Sequence, residues 1–107
     1  MEATIDDWKK LDIRIAEIVS VEKVPNKDKL YKLQIDLGTE QRQIVSSIVP
    51  YYTGDELIGK KIAVITNLKP AKFGGELSQG MLLAAENEDD CVLLVVDKDI
   101  PSGAPVH

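Results

Sequence analysis

The residues best suited to ligand chemistry are concentrated between Asn67 and Met81, where two lysines, a serine and several glycines follow one another. Lysine ammonium groups neutralise phosphates as point charges, while asparagine and serine side chains hydrogen-bond to phosphate oxygens or ribose. The Gly74–Gly75 pair lets the backbone approach a ligand closely. This chemistry suits a nucleic-acid backbone, although the same composition also fits a flexible hairpin loop whose lysines only keep the surface soluble.

The charge distribution sets this part of the chain apart. A net charge of −5 at pH 7 is unusual for a nucleic-acid binder. However, four lysines and no acid occur from Lys60 to Lys72, whereas seven acids and one lysine occur from Phe73 to His107. A basic stripe on an acidic body can still focus an attractive field on phosphates. Accidental clustering of ordinary surface charges explains the same distribution equally well.

Few residues are suited to catalysis or metal binding. His107, the only histidine, is the last residue, and Cys91, the only cysteine, stands in an apolar run where a buried, unreactive thiol is expected. The acidic run 88–90 lacks the alternation of a calcium loop and fits a solvated turn. We therefore expect no enzyme activity, no cofactor and no metal.

Hydrophobic periodicity predicts the elements that must position the binding residues. Thr4 and Asp7 form a capping-box pattern, which predicts a short N-terminal helical turn that needs the domain or a partner chain to cover it. A period of two begins at Ile13 and is broken at Glu17, which predicts a long strand with a bulge or bend. The further predicted elements are strands over Leu30–Leu37 and Gln41–Ile48, a short helix within Thr53–Gly59, strands over Lys61–Leu68, Met81–Ala85 and Cys91–Val96, and a long loop over Pro70–Gly80.

This order of elements predicts an all-β fold: an OB-fold five-stranded barrel with one short helix between strands 3 and 4, an N-terminal helical turn and an extra C-terminal strand. The pattern alone leaves a β-sandwich open as an alternative. All 107 residues fit a single domain. We expect a cytoplasmic location, because the apolar runs are too short for a membrane span, the N-terminus is acidic and polar, and one cysteine suits a reducing compartment.

Short motifs along the chain resemble those of one family. The most specific are Asn67–Pro70 (NLKP) and Ser78–Met81 (SQGM), which stand in the right order with Asp28–Leu30 (DKL). On these motifs the chain resembles the tRNA-binding domain found at the carboxyl end of many methionyl-tRNA synthetases and in free-standing structure-specific tRNA-binding proteins. Further matching stretches are Leu11–Ile15, Asp36–Gly38, Arg42–Ser46 and Gly59–Lys60.

The resemblance implies an OB-like barrel that binds the outer corner of tRNA without strong sequence preference and assists aminoacylation. It also implies a homodimer, formed through the C-terminal strand and the N-terminal helix, with a methionyl-tRNA synthetase catalytic chain as a further partner. Lys60 is included among the expected tRNA-binding residues because it belongs to the basic stretch from Lys60 to Lys72. Met81 fits a core side chain as well as a residue that contacts tRNA. The residues expected to bind tRNA are Asn67, Lys69, Lys72, Ser78, Met81, Lys29 and Lys60.

Two other functions compete with tRNA binding. The apolar strand Cys91–Val96 and the amphipathic N-terminal helix fit a homodimerisation or scaffold module of a synthetase that touches tRNA only incidentally. An oligosaccharide-binding OB module would need an aromatic groove, and the five aromatic residues of this chain are too scattered to form one.

Overall fold

The computed structural model describes all residues, 1–107. It contains two short helices and ten strands. In chain order these are α1 (Ile5–Lys9), β1 (Ile13–Lys23), β2 (Tyr31–Asp36), β3 (Gln41–Ser46), α2 (Gly54–Leu57), β4 (Lys61–Ile65), β5 (Ala71–Phe73), β6 (Glu76–Ser78), β7 (Met81–Leu82), β8 (Ala84–Glu86), β9 (Cys91–Leu93) and β10 (Pro105–Val106). Neither helix has the length or apolar character needed to span a lipid bilayer.

The long strand β1 organises the barrel. It pairs antiparallel with β2 on one side and β4 on the other, in a sheet ordered β3–β2–β1–β4–β7. The pairing with β2 shifts register between Ile18 and Ser20. This confirms the predicted bulge, which bends the strand and lets its 11 residues follow the barrel wall.

Hydrogen bonds close the barrel between its two edges, β3 and the segment that joins β6 to β7. The Gln79 amide donates to the Gln43 carbonyl at 2.8 Å, and the Gln43 amide donates to Oε1 of Gln79 at 3.2 Å. The Val45 amide donates to Oγ of Ser78 at 3.0 Å. The nearly closed five-stranded barrel confirms the predicted OB-type fold and excludes the sandwich.

Alternating side chains fill the barrel. Tyr31, Leu33 and Ile35 of β2 are buried, while the residues between them are half-buried. Leu57 of α2 belongs to the same core cluster and has no exposed surface. Burial of one such aliphatic side chain stabilises the fold by about 1.5–3 kcal/mol. The short helix predicted after the third strand is therefore confirmed and carries a core residue.

The segment Pro70–Gly80, predicted as a long loop, is mostly a β-hairpin. β5 and β6 pair antiparallel over three residues each. Gly74 and Gly75 form the turn with φ angles of 59° and 83°, the two positive values that a type I′ turn needs. The loop prediction was wrong because it weighed glycine content and ignored the two-residue Gly–Gly hairpin signal.

The predicted fifth and sixth strands form a second hairpin. β7 stays in the barrel beside β4, but the regular pairing stops at Leu83, and β8 pairs with β9 instead. The side-chain oxygen of Asn87 accepts the amides of Asp89 and Asp90 at 2.9 and 2.8 Å, which confirms the predicted acidic turn. The predicted fifth strand is divided between two sheets, β7 and β8, and the predicted sixth strand ends at Leu93, three residues earlier than predicted.

The two termini differ in how they meet the barrel. β10 pairs with the start of β1, so the extended C-terminal tail is part of the sheet. At the N-terminus, the predicted capping box of Thr4 and Asp7 is present. No residue of α1 is buried, and Ile5 and Trp8 remain 68% and 43% exposed. The expected cover for the apolar face of α1 is therefore not supplied by this chain.

Candidate nucleic-acid interface

The lysine hairpin, residues 69–78, rests its turn on the loop between β1 and β2. A Cβ placed on Gly74 would lie 2.9 Å from Cγ of Lys27. Only a residue without a side chain allows so close an approach. The contact brings the loop that carries Lys29 next to the hairpin that carries Lys72, so two predicted parts of the site meet.

The register of the lysine hairpin sorts its side chains onto two faces. Ser78 is 2% exposed and Glu76 is half-buried, so the face they share points toward the barrel. Lys72 lies opposite Leu77, and successive strand residues point to opposite faces. Lys72 and Leu77 therefore point to solvent, with Leu77 39% exposed.

Three predicted lysines have exposed ammonium groups without ion-pair partners. Lys29, Lys69 and Lys72 are exposed, and none belongs to the six ion pairs of the structure. Such lysines can neutralise a phosphate without first breaking an internal contact. Lys27, which the sequence did not single out, is exposed and unpaired in the same loop as Lys29.

Lys32 of β2 neutralises the only acid of the lysine hairpin. Its ammonium lies 3.4 Å from Oε1 of Glu76 and 3.7 Å from Oε2 of Glu22. The contact also ties β6 to the barrel wall. The charges of Lys69 and Lys72 are therefore left uncompensated within their own hairpin.

Asn67 connects the end of β4 with the segment after α1. Its Oδ1 accepts the Asp12 amide at 2.8 Å, and its Nδ2 donates to the Lys10 carbonyl at 2.6 Å. The neighbouring Thr66 donates its amide and its hydroxyl to the Asp12 carbonyl at 2.8 and 2.9 Å. These two bonds of the Asn67 amide hold the end of β4 to the segment after α1. Asn67 is also exposed, and its contact with RNA stays a prediction.

Ser78 lies inside the structure. Its Oγ accepts the Val45 amide at 3.0 Å and donates to the Gly80 carbonyl at 2.9 Å, and the residue is 2% exposed. The predicted direct bond to RNA does not fit this placement, because the hydroxyl is out of reach of a ligand. Ser78 instead anchors the lysine hairpin to the barrel edge.

Met81 lies at the surface where the lysine hairpin returns to the barrel. It is 37% exposed, whereas Leu82 is 7% exposed and belongs to the core cluster. Adjacent strand residues point to opposite faces, so the core position of β7 belongs to Leu82. The alternative that Met81 is a core side chain is thereby excluded, and its contact with RNA stays a prediction.

Lys60 lies apart from Asn67 and Lys69. It precedes β4, while those two residues follow the other end of the same strand. Its ammonium is 5.9 Å from the centroid of the Tyr52 ring, within the range of a cation–π contact. The structure therefore does not bring Lys60 to the same end of β4 as the other predicted residues.

Arg42 donates to backbone carbonyls on both sides of the lysine hairpin, although it was not among the residues predicted to bind tRNA. Its Nη1 donates to the Thr66 carbonyl at 2.5 Å and to the Gln79 carbonyl at 3.5 Å. Its Nε pairs with the Glu40 carboxylate. Arg42 is one of only two arginines in the chain, but nothing in the sequence indicates which backbone groups face it.

A polar cleft of about 220 Å³ lies beside Arg42, between Asp12 and Glu40. Arg14 donates to Asp12 at 3.0 Å. Partial burial raises the pKa of Asp12, but the hydrogen bond from Arg14 and the charges of both arginines outweigh it and hold that pKa below its ordinary value. Since each arginine has its own acid, the cleft is nearly neutral, and the free positive charge lies on the lysines.

An apolar surface occurs on β9 and the chain that follows it. Its four residues are 41–56% exposed: Val92, Leu94, Val95 and Ile100. Cys91 and Leu93, which alternate with them, are buried in the core. Burial, together with the nearby charge of Glu86, raises the pKa of the Cys91 thiol, which agrees with the unreactive thiol expected from the sequence.

These features define a class. An OB-type barrel with a solvent-facing hairpin of free lysines has the construction of a nucleic-acid-binding module. The family described as "Putative tRNA binding domain" matches residues 13–105. The chain therefore belongs to the tRNA-binding domain family.

Three known proteins show the extent of the similarity. Methionine–tRNA ligase of Thermotoga maritima is 57% identical over 103 residues, which are 96% of this chain and 16% of the ligase. A MetRS related protein from Pyrococcus horikoshii has a TM-score of 0.94 at 39% identity and is covered to 99%, with 100% of this chain. The chaperone CsaA from Bacillus anthracis has a TM-score of 0.91 at 28% identity, with both chains covered to 100%. The chain thus spans only a small part of the ligases it matches.

Proposed function

We propose that the chain is a non-catalytic tRNA-binding domain that recognises tRNA by shape and backbone charge and assists aminoacylation, as the C-terminal domain or a subunit of a cytoplasmic methionyl-tRNA synthetase. One observation carries the proposal. The Gly74 turn packs against the loop between β1 and β2, and this contact brings Lys29 and Lys72 into neighbouring segments. Both ammonium groups are exposed and unpaired.

The exposed lysines recognise the charge of the RNA phosphate backbone. Folded RNA presents phosphates and 2′-hydroxyls in a fixed pattern, and double-helical RNA is recognised mostly through that pattern. Base stacking has little support, since Phe73 is the only aromatic residue of the lysine hairpin and is 38% exposed. We therefore expect similar affinities for many unrelated tRNAs, whereas a strong preference for the methionine anticodon would contradict shape reading.

The double variant Lys69→Ala with Lys72→Ala tests the proposal. Each lysine that neutralises a phosphate adds roughly 0.7–0.9 to the slope of log K against log salt. We expect the double variant to bind tRNA more weakly and to lower that slope by about one to two. Filter binding or gel shift at several salt concentrations measures both quantities.

Lys98→Ala is the matched control, to be compared with the single variant Lys72→Ala. Lys98 is also exposed and unpaired, but it lies in the C-terminal tail. Removing it changes the net charge by the same amount. Equal losses of affinity and slope at the two positions would show that net charge matters and the hairpin does not.

Homodimerisation is a second function with its own observation. The apolar surface and the exposed Trp8 of α1 are the kind of area that a second copy covers. We propose that Val95→Asp, at a residue 56% exposed, turns a dimer into a monomer in light scattering while the fold is kept. A monomeric variant that binds tRNA as tightly as the wild type would separate dimerisation from tRNA binding. A wild-type chain that is already monomeric would remove the dimer proposal.

A further inference from the structure

We infer that Arg42 is the positioning residue of the lysine hairpin: it fixes the geometry in which the lysines meet RNA and does not itself bind phosphate. The inference rests on the proposed tRNA-binding function and goes beyond it. It assigns a role to a residue on β3, outside the segment from Asn67 to Met81.

The geometry of the guanidinium carries the inference. Thr66 directly precedes the segment that contains the lysine hairpin, and Gln79 directly follows β6. Nη1 of Arg42 donates to both carbonyls, at 2.5 and 3.5 Å. Among the side chains of the structure, Arg42 is the one that donates to backbone carbonyls on both sides of the hairpin. Its loss would loosen the entry and the exit of the hairpin together, while Thr66 stays bonded to Asp12 and Gln79 to Gln43.

The charge state of Arg42 argues against direct phosphate binding. Its Nε is paired with Glu40, and its side chain is 28% exposed. A cation that already has a carboxylate partner neutralises a phosphate only after that pair is broken. Lys69 and Lys72 have no such partner and are exposed. The arginine therefore supplies directed hydrogen bonds, and the lysines supply free charge.

The directed bonds also explain why arginine is needed at this position. Its planar guanidinium holds several N–H groups at fixed angles, so one side chain reaches Glu40 and both carbonyls at once. A lysine has one nitrogen on a flexible stem and cannot reproduce this arrangement. Arg42→Lys should therefore keep the charge and lose the function, which would not be expected of a simple phosphate contact.

A double-mutant cycle on tRNA binding tests the inference. We expect Arg42→Ala and Arg42→Lys to weaken binding alike, by about threefold to tenfold, and Lys72→Ala to cost less in either background than in the wild type. A side chain that acts through the hairpin gives this coupling, whereas an independent contact gives additive losses. Additive losses, rescue by lysine, or unchanged binding would each overturn the positioning role.

Amide hydrogen exchange without RNA gives a second readout. Exchange of the Glu76 and Ser78 amides, which face β5 in the antiparallel ladder, should be faster in both Arg42 variants and unchanged in Arg14→Ala, which removes the other arginine of the same cleft. Thermal unfolding checks that each variant is folded. Unchanged exchange in the Arg42 variants would overturn the inference. If the wild-type chain fails to bind tRNA, the proposed function is lost, while the exchange rates still decide whether Arg42 holds the hairpin.

Discussion

The lysine hairpin and the acidic hairpin (β8, β9 and the turn between them) have strands of equal length, yet they are attached to the barrel in different ways. The acidic hairpin inserts Cys91 and Leu93 into the core cluster. The lysine hairpin adds no side chain to that cluster and is tied down by polar bonds, among them those from Val45 and Lys32.

The difference shows how a small barrel keeps side chains free for a ligand. A strand fixed by apolar burial places alternate side chains in the core, and each large one stabilises the fold by about 1.5–3 kcal/mol. A strand fixed through backbone groups and a buried hydroxyl needs several bonds of about 0.5–1.5 kcal/mol each. Its remaining side chains stay in solvent, and in this protein two of the exposed residues of that segment are lysines.

The largest expected effect concerns the contact between the Gly74 turn of the lysine hairpin and the loop between β1 and β2. Gly74→Ala places a Cβ at a φ of 59° and within 2.9 Å of Lys27 and 3.1 Å of Leu30. We expect backbone strain of about 1–2 kcal/mol and about 1–3 kcal/mol more from overpacking. Tm and tRNA affinity should both fall.

Gly75→Ala is the control for that change. It has the same kind of backbone strain, with a φ of 83°, but no atom lies within 4 Å of its added Cβ. Tm should fall less than for Gly74→Ala, and tRNA affinity should stay near the wild-type value. Equal effects at both glycines would mean that the contact of the Gly74 turn with the loop between β1 and β2 does not position the lysines.

The next effect concerns the buried hydroxyl of Ser78. Ser78→Ala leaves the Val45 amide without its partner, and an unsatisfied buried donor costs about 1–3 kcal/mol. Urea unfolding should show a loss in that range, whereas Ser47→Ala at an exposed position should show almost none. A stable Ser78→Ala variant that binds tRNA poorly would restore a direct RNA contact for this serine.

A pH-dependent effect is expected in the acidic hairpin. Burial raises the pKa of Cys91 above 9.0 in the folded chain, so the unfolded chain loses its thiol proton first as pH rises. The stability that Cys91 contributes is present below pH 9.0 and is lost as pH rises toward the folded pKa. Chemical unfolding of the wild type and Cys91→Ala between pH 8 and 10 should show a steeper decline for the wild type. Parallel declines would show that the thiol is not desolvated.

The smallest effect concerns the acidic turn. Asp89→Asn with Asp90→Asn removes two negative charges and leaves the backbone bonds to Asn87 in place. Charges separated by more than about 8 Å are largely screened at physiological salt. We expect a slight gain in tRNA affinity that disappears as salt is raised. A large change would place the acidic hairpin within the RNA interface.

Much of the fold was predictable from the sequence because local patterns impose it. The alternation of Tyr31, Leu33 and Ile35 predicts a strand with one buried face, and the structure confirms it. The capping box at Thr4 is confirmed for the same reason, since its partners lie three residues apart. The exchange of partners after β7 was missed, because strand pairing depends on residues distant in the chain.

The sequence by itself determined the alternation that builds the barrel, the location of the lysines and, through its motifs, the family. The tertiary structure decided which of the predicted site residues are free. It buries Ser78 at the end of the lysine hairpin, bonds the Asn67 amide to the segment after α1, and adds Arg42 from a different strand. A side chain's type fixes what it can bind, but its free capacity depends on neighbours that only the folded chain brings within hydrogen-bonding distance.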